Sequence, residues 1–355
     1  MTFMATKDKV LEILKENLKN GSEAVSGEQL AAVCNVSRAA VWKAVNSLRE
    51  LGYNIQGTTN GGYVLSEGSD LFSTEIFTTE FNKSFPAFAG NHIETFKTID
   101  STNTYAKRLL SECGNLRGID GELTKAGKLY HNSIFVAEAQ TAGRGRLGRT
   151  FYSPSKTGIY LSVIYAPKGG IVQPAKLTAF SAVAVCRAIK KLYGLSTDIK
   201  WINDIYYNGK KLSGILTEGI SNFETGQIEA AIVGIGINIA DNPEVFPPDV
   251  AQVAGSITGT GESKSFVSRC QLAAQVAGEV LAIFEQEPKS ILEEYKKASF
   301  LIGQTVEIHP VIGDEKNVYK AKVVDIDDNA ALVVELDDAT KKALSSGEVS
   351  LHKIN

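Results

Sequence analysis

Asn208-Gly209, with DIYY before it and KKLS after it, narrows what this chain can become more than any other feature. An Asn-Gly pair suits two consecutive residues at positive φ, so it specifies a two-residue hairpin and its register. That closure sets Tyr207 opposite Lys210, Tyr206 opposite Lys211, Ile205 opposite Leu212 and Asp204 opposite Ser213. Alternation then predicts Asp204, Tyr206, Lys211 and Ser213 on one face, and Ile205 and Leu212 on the other. The apolar face belongs to the core, which leaves the Lys211 face free for a ligand. Lys211 lies diagonal to Asp204, about 7–8 Å away at the backbone, within reach of a long side chain. Lys210 points the other way. An ordinary surface ion pair fits the same pattern.

Residues 139–151, AQTAGRGRLGRTF, bear on that choice. Arg144, Arg146 and Arg149 alternate with Gly143, Gly145 and Gly148, and the stretch contains no acid. Glycines let backbone N–H groups turn toward an anion, and guanidinium forks clamp its oxygens. Gly/Arg mixtures also occur in disordered RNA-binding tails, but this one lies between two apolar strand-like runs. It is not a P-loop, because G-x-x-x-x-G-K-[ST] is absent. An anion-gripping loop beside a positioned Lys/Asp pair suggests chemistry on an activated phosphate compound. Gly234 and Gly236 interrupt an apolar strand, which calls for close strand packing or for a ligand lying against Gly236. Ser101-Thr102-Asn103 reads as a helix N-cap whose polar groups can also face a ligand head. Trp42 and Trp201 read as packing residues.

The chain has 355 residues, too many for one ordinary core, so two or three domains are expected. Hydrophobic residues at 43% and charged ones at 22% are those of a soluble globular protein. With a net charge of −3 any nucleic-acid binding must be local. No apolar run approaches the roughly 18 residues that span a bilayer, and the charged, amphipathic N-terminus lacks a signal-peptide core. The expected setting is cytoplasmic, with no membrane partner. Cys34, Cys113, Cys186 and Cys270 are far apart, which fits reduced thiols. The four histidines are scattered too, so no metal cluster is expected, although Mg²⁺ carried by a nucleotide needs few protein ligands.

Val10, Ile13, Leu14 and Leu18 fall at helical spacing over 7–19. Ser26 with Gln29 forms a capping-box pattern for a short second helix. Ser37 caps a third, SRAAVWKAVNSLREL, stopped by Gly52, with Ala40, Val41, Ala44, Val45 and Leu48 as its buried stripe. YNIQG and GYVLS flank Thr59-Asn60-Gly61 as a hairpin. This order is that of a winged helix-turn-helix, with the third helix in the major groove and the hairpin as wing. Ser37, Arg38, Trp42, Lys43 and Asn46 are its candidate DNA contacts. Three cations at 37–49 give few phosphate contacts, so a homodimer on a two-part operator is expected. A helical protein-interaction domain is the alternative.

A linker at 66–70 leads to strands at 93–99, 133–140, 158–166, 198–201, 214–220 and 229–240. Helices are expected at 101–112, 174–192 (apolar on most sides, hence buried) and 266–285. Residues 113–132 read as a polar surface insertion. From Gly303 onward, short strands separated by turn residues suggest a small SH3-like β-barrel. The fold class is α+β, divided as 1–67, 68–300 and 301–355.

These residues, in this order, resemble the bifunctional biotin–protein ligase/biotin-operon repressor family over nearly the whole chain. The resemblance lies in SRAAVWKAVNSLRELG with a GGY wing, in STN at 101–103 and in Q-x-A-G-R-G-R-x-G-R at 140–149. It continues through KW-x-ND at 200–204, KLSGILTE at 211–218, GIGIN at 234–238 and GEVSLHK at 347–353. It implies a central mixed-sheet domain of the biotin/lipoate ligase type and a two-step reaction. Biotin carboxylate attacks the α-phosphate of MgATP to give biotinyl-5′-adenylate, and a lysine of a biotin carboxyl carrier domain then takes the biotin. Carried over, Ser101, Thr102, Asn103 and Gln140 hold the biotin head. Gly143, Arg144, Gly145 and Arg146 close over biotin and phosphate, Arg146 retains the adenylate, and Arg149 lies in the same loop. Lys211 bridges carboxylate and phosphate, Asp204 orients or deprotonates the amine, Asn203 contacts the nucleotide or its metal, and Phe151 packs on adenine. Gly214, Gly236 and Asn238 count among the substrate-binding positions. The chain departs from the family pattern at Ile202, where proline is usual, and at Leu147, where arginine is common. Lipoate attachment, a biotin-sensing repressor without transfer, and a ligase without repression are the rival readings.

Overall fold

The computed structural model describes residues 5–20, 24–50, 53–58, 61–66, 73–118, 120–222, 226–240, 246–258, 269–310, 317–345 and 347–351. Gly52, the tip at Thr59-Asn60 and most of the 66–70 linker lie outside these residues.

The head consists of helices α1 (Thr6–Lys19), α2 (Gly27–Cys34) and α3 (Arg38–Glu50) and strands β1 (Ile55–Thr58) and β2 (Gly62–Leu65), paired antiparallel. The local signals act as read. Ser26 and Gln29 form the reciprocal capping box, and the Ser37 hydroxyl accepts from Ala40 N–H. Val41, Ala44, Val45 and Leu48 are buried, and Val10, Leu14 and Leu30 pack with them. Trp42 corrects the packing expectation: it is 57% exposed, on the helix face that carries the exposed Arg38 and Lys43. The head rests on α4 (Thr74–Ser84), a helix unanticipated from sequence, through Lys7–Glu75 at 3.2 Å, Lys15–Glu80 at 3.4 Å and a Glu12–Lys83 pair.

The central part is a seven-stranded mixed sheet. Its strands are β3 (Ile93–Phe96), β4 (Ile134–Ala137), β5 (Gly158–Tyr165), β6 (Asp198–Lys200), β7 (Asp204–Tyr207), β8 (Lys210–Ser221) and β9 (Ile228–Asn238), in spatial order 3-4-5-9-8-7-6. Among the described residues only β3 and β4 of this sheet run parallel. A parallel pair needs a crossover, supplied here by α5 (Thr102–Glu112) and α6 (Lys125–Tyr130). Residues 113–132 are therefore more than a surface insertion: Leu116 is 1% exposed and joins Ala106, Leu110 and Phe135 in an apolar cluster. On the other face α7 (Pro174–Tyr193), buried chiefly over residues 177–185, and α9 (Arg269–Phe284), mostly buried, pack together. A short α8 (Pro248–Val253) precedes α9, and α10 (Pro288–Ala298) follows it.

Strands β10 (Thr305–His309), β11 (Tyr319–Ile326), β12 (Leu332–Glu335), β13 (Lys341–Leu344) and β14 (Glu348–Leu351) form an antiparallel sheet in the order 13-12-11-10-14. The anticipated strands are all present, but the barrel is not closed: among the described residues β13 and β14 remain edges. All four cysteines are free thiols. Among the described residues no helix is long and apolar enough to cross a membrane.

Candidate active site

The hairpin closes as the Asn-Gly pair dictates, with φ of 47° at Asn208 and 74° at Gly209. Tyr207 faces Lys210 and Tyr206 faces Lys211. A bulge then shifts the register, so that Ile205 faces Ser213 and Asp204 faces Gly214. This corrects the expected Ser213 placement: it joins buried Ile205 on the core side, and its hydroxyl has no hydrogen-bond partner. The bulge turns Gly214 toward the ligand side instead, where a Cβ would lie 3.5 Å from Lys211 Nζ. Lys211 Nζ sits 2.7 Å from Asp204 Oδ1. That oxygen takes no aligned hydrogen bond, so charge holds the contact. Lys210 turns away and donates to Gln252 O.

This pair opens onto a cavity of about 160 Å³ on the sheet face opposite α7. Ser101, Thr102 and Asn103 enter it from the start of α5, and all three are 3% exposed. Ser101 is indeed the N-cap, accepting from Thr104 N–H. Gln140 receives the Thr102 N–H at 2.8 Å and donates to Ser153 Oγ at 2.9 Å. Ser162 of β5, overlooked in the sequence, lies 2.7 Å from Thr102 Oγ1 and 2.6 Å from Asn103 Oδ1.

The two glycines of β9 now have a physical account. A Cβ on Gly234 would lie 2.1 Å from Asn103 Oδ1, and one on Gly236 2.4 Å from the Phe151 ring. The strand lacks side chains where these two groups must lie against it. The ring of Phe151 lies against Gly236, and both line the cavity. Phe151 also meets the edge of Tyr160, the residue paired with Gly236. Burial pushes the Tyr160 phenol up to about 12, so at neutral pH it is an uncharged donor, bonded to Pro154 O at 2.9 Å.

The glycine–arginine loop forms one wall. Arg144, Gly145, Arg146 and Arg149 line the cavity. Arg144 is not without an acid, as its local sequence suggested: its Nη1 lies 3.1 Å from Glu218 of β8. Arg146 donates to Asn203 Oδ1 at 2.9 Å and to Gly347 O at 3.4 Å. Gly347 and Val349 bring the C-terminal sheet to the cavity rim, which nothing in the loop's sequence announced. Asn203 also donates from Nδ2 to Ile215 O at 3.1 Å, so its side chain already holds the loop and β8. Trp201 is buried as expected, donates to Ala330 O at 2.8 Å, and lines the cavity as well. Ile202, at the departure from the family pattern, follows a cis peptide, and its carbonyl accepts from buried Tyr295 at 3.1 Å.

Of the candidate residues, two are not at the cavity wall. Gly143 is wedged under Phe151 O, where a Cβ would come within 2.3 Å, and Asn238 ends β9 opposite Gly158. Ser37, Arg38, Trp42, Lys43 and Asn46 are grouped separately on α3 and its cap.

The walls can hold an elongated ligand with a polar head at Thr102–Asn103 and an acidic end near Lys211. Among the described residues no three His, Cys, Asp or Glu lie together, and Asp204 is paired with Lys211.

Residues 96–238 match the biotin/lipoate A/B protein ligase family, residues 9–64 an HTH domain, and residues 301–352 the biotin protein ligase C-terminal domain. The bifunctional ligase/repressor BirA of Bacillus subtilis is 30% identical over 335 residues, 92% of this chain and 94% of that protein. Its Escherichia coli counterpart is 29% identical over 94% of each. A biotin protein ligase from Aquifex aeolicus, solved with biotin and ATP, superposes with a TM-score of 0.57 at 23% identity. It covers 74% of this chain and 99% of its own.

Proposed function

The chain belongs to the bifunctional biotin ligase/repressor family, and from that premise we propose that it joins biotin to a carrier lysine at the expense of ATP and represses biotin genes. The observation that carries the ligase half is Lys211 Nζ, 2.7 Å from Asp204 in the cavity that also receives Thr102, Asn103 and Gln140.

In the first step a biotin carboxylate oxygen attacks the α-phosphorus of ATP. A P–O bond forms, the bond to the β-phosphate bridging oxygen breaks, and pyrophosphate leaves. Two anions must meet, so cations at the reacting centre lower the barrier. Lys211 is that cation, bridging carboxylate and phosphate, with Arg146 retaining the adenylate. Thr102, Asn103 and Gln140 bind the neutral head, and Phe151 packs on adenine. Mg²⁺ supplies charge neutralisation on the phosphates. In the second step the carrier ε-amine attacks the acyl carbon, AMP leaves, and Asp204 orients the amine or takes its proton. Arg144 and Arg149 belong to the same anion-gripping wall.

The domain limits we assign are 1–67, 68–300 and 301–355. The head binds operator DNA through Ser37, Arg38, Trp42, Lys43 and Asn46. Its three cations at 37–49 are too few for tight binding by one copy, which supports a homodimer on a two-part site. The protein acts in the cytoplasm, and its scattered free thiols fit that setting.

The test is pyrophosphate release by the full chain with MgATP and either biotin or lipoate. Release with biotin alone is expected. Release with lipoate alone would move the chain to lipoate attachment, and tight biotin binding without release would leave a biotin-sensing repressor.

A further inference from the structure

Glu218 was not among the candidate residues, yet two walls of the cavity meet on its carboxylate. Oε2 accepts from Asn103 Nδ2 at 3.0 Å, and Oε1 lies 3.1 Å from Arg144 Nη1, with Lys107 Nζ at 3.9 Å. Its side chain is only 16% exposed, whereas Arg144 is 45% and Lys107 56% exposed, so the buried Asn103 contact is the best shielded of the three. Glu218 stands two residues beyond Leu216 on β8, opposite Ile232, on the same face as Gly214.

We propose that Glu218 is a positioning residue that orients the Asn103 amide and holds the glycine–arginine loop through Arg144. The inference rests on the ligase reading above. A carboxylate can only accept, so Asn103 must present its NH₂ to Glu218 and its carbonyl oxygen to Ser162, 2.6 Å away. The Ser162 hydroxyl donates to that oxygen and lies 2.7 Å from Thr102 Oγ1, which itself donates to Gln140 Oε1 at 3.3 Å. The acid at 218, with Leu216 O as a second acceptor 3.3 Å from Asn103 Nδ2, thereby fixes which end of the Asn103 amide meets Ser162 on the cavity floor. The same carboxylate ties Arg144, and with it the loop that carries Arg146, to β8 before any ligand enters. A ligand phosphate that engages Arg144 must compete with Glu218, which couples the anion end of the site to the biotin end.

Glu218→Gln keeps the shape but removes the charge, leaving the Leu216 carbonyl, 3.3 Å from Asn103 Nδ2, as that amide's one obligate acceptor among the described residues. Two measurements on the full, ligand-free chain test this: calorimetric titration with biotin, and tryptic cleavage within residues 144–149. Loss of hydrogen bonds to a charged group predicts about tenfold or more weaker biotin binding for Glu218→Gln. Loop cleavage should be about fivefold faster at an unchanged unfolding midpoint, since local opening scales with the lost contact. Glu218→Asp, which keeps the carboxylate, should restore resistance to cleavage, and Glu218→Ala, with the same expected losses as Glu218→Gln, replaces that variant if it does not fold. Biotin affinity and cleavage rate both within twofold of wild type would overturn the proposal. Wild-type protein that fails to bind biotin would instead sink the ligase reading on which the proposal rests.

Discussion

The winged head and the ligase cavity gather their functional residues in opposite ways. The head's candidate contacts all fall between Ser37 and Asn46, on one helix and its cap. The cavity draws on α5, the 140–151 loop, β5, β7, β8, β9 and the C-terminal sheet, from Ser101 to Val349. In the head, side-chain direction follows from helical periodicity alone. In the cavity it depends on sheet register, where one bulge exchanges Ser213 for Gly214. A site on one helix is therefore robust to small shifts elsewhere, whereas a site assembled across strands is sensitive to each support.

The sharpest way to break that contrast is Asp204→Asn. Loss of a carboxylate placed for proton transfer should slow biotin transfer by about 100-fold or more, while operator affinity measured by fluorescence anisotropy stays within about twofold, since surface changes far from a site are near neutral. A matching loss of DNA binding would show that the two regions are not separable. Next is Gly236→Ala, which places a methyl group against the Phe151 ring. Overpacking of about 1–3 kcal/mol is expected, read as a lower unfolding midpoint of the ligase part together with a raised KM for ATP. A smaller effect, on the head alone, is Lys43→Ala: the salt dependence of operator binding should flatten by about one phosphate contact, with pyrophosphate release unchanged.

The smallest effect concerns pH. Burial lowers the pKa of His131, whose Nδ1 accepts the Ala166 N–H at 3.1 Å and so must be unprotonated. The unfolded chain then binds the proton more readily than the folded one. The stabilisation is present above the ordinary histidine pKa and is lost as pH falls through that value toward the lower folded one. Denaturant titrations of wild type and His131→Gln between neutral and mildly acid pH should differ in slope, with wild type the steeper. Parallel slopes would remove His131 from the account.

The same contrast explains what could be read from the sequence. Ser26 with Gln29, Ser37 and Asn208-Gly209 are local rules, and each acts where it was expected to. The strand series was legible because alternation and turn residues are local as well. What escaped depends on distance. Glu218 meets Arg144 across 74 residues, and Gly347 meets Arg146 across 201. The glycines at 234 and 236 signalled close approach correctly, but the approaching groups, Asn103 and Phe151, are fixed by tertiary packing. Helical phase set Trp42 outside the buried stripe and among the candidate DNA contacts, and only its reading as a packing residue fails, since the side chain is 57% exposed. The amphipathic α4 and α10 went unread, although Ser73 and Glu287 do cap them.

The most direct test of the central claim is transfer of labelled biotin to a biotin carboxyl carrier domain by the full chain with MgATP, comparing wild type with Lys211→Ala. Label on the carrier lysine from wild type, reduced by about 100-fold or more in the variant as for other lost electrostatic contacts to a transition state, is the predicted result. Equal labelling by both proteins would contradict the role of Lys211, and no labelling by wild type would contradict the ligase reading itself.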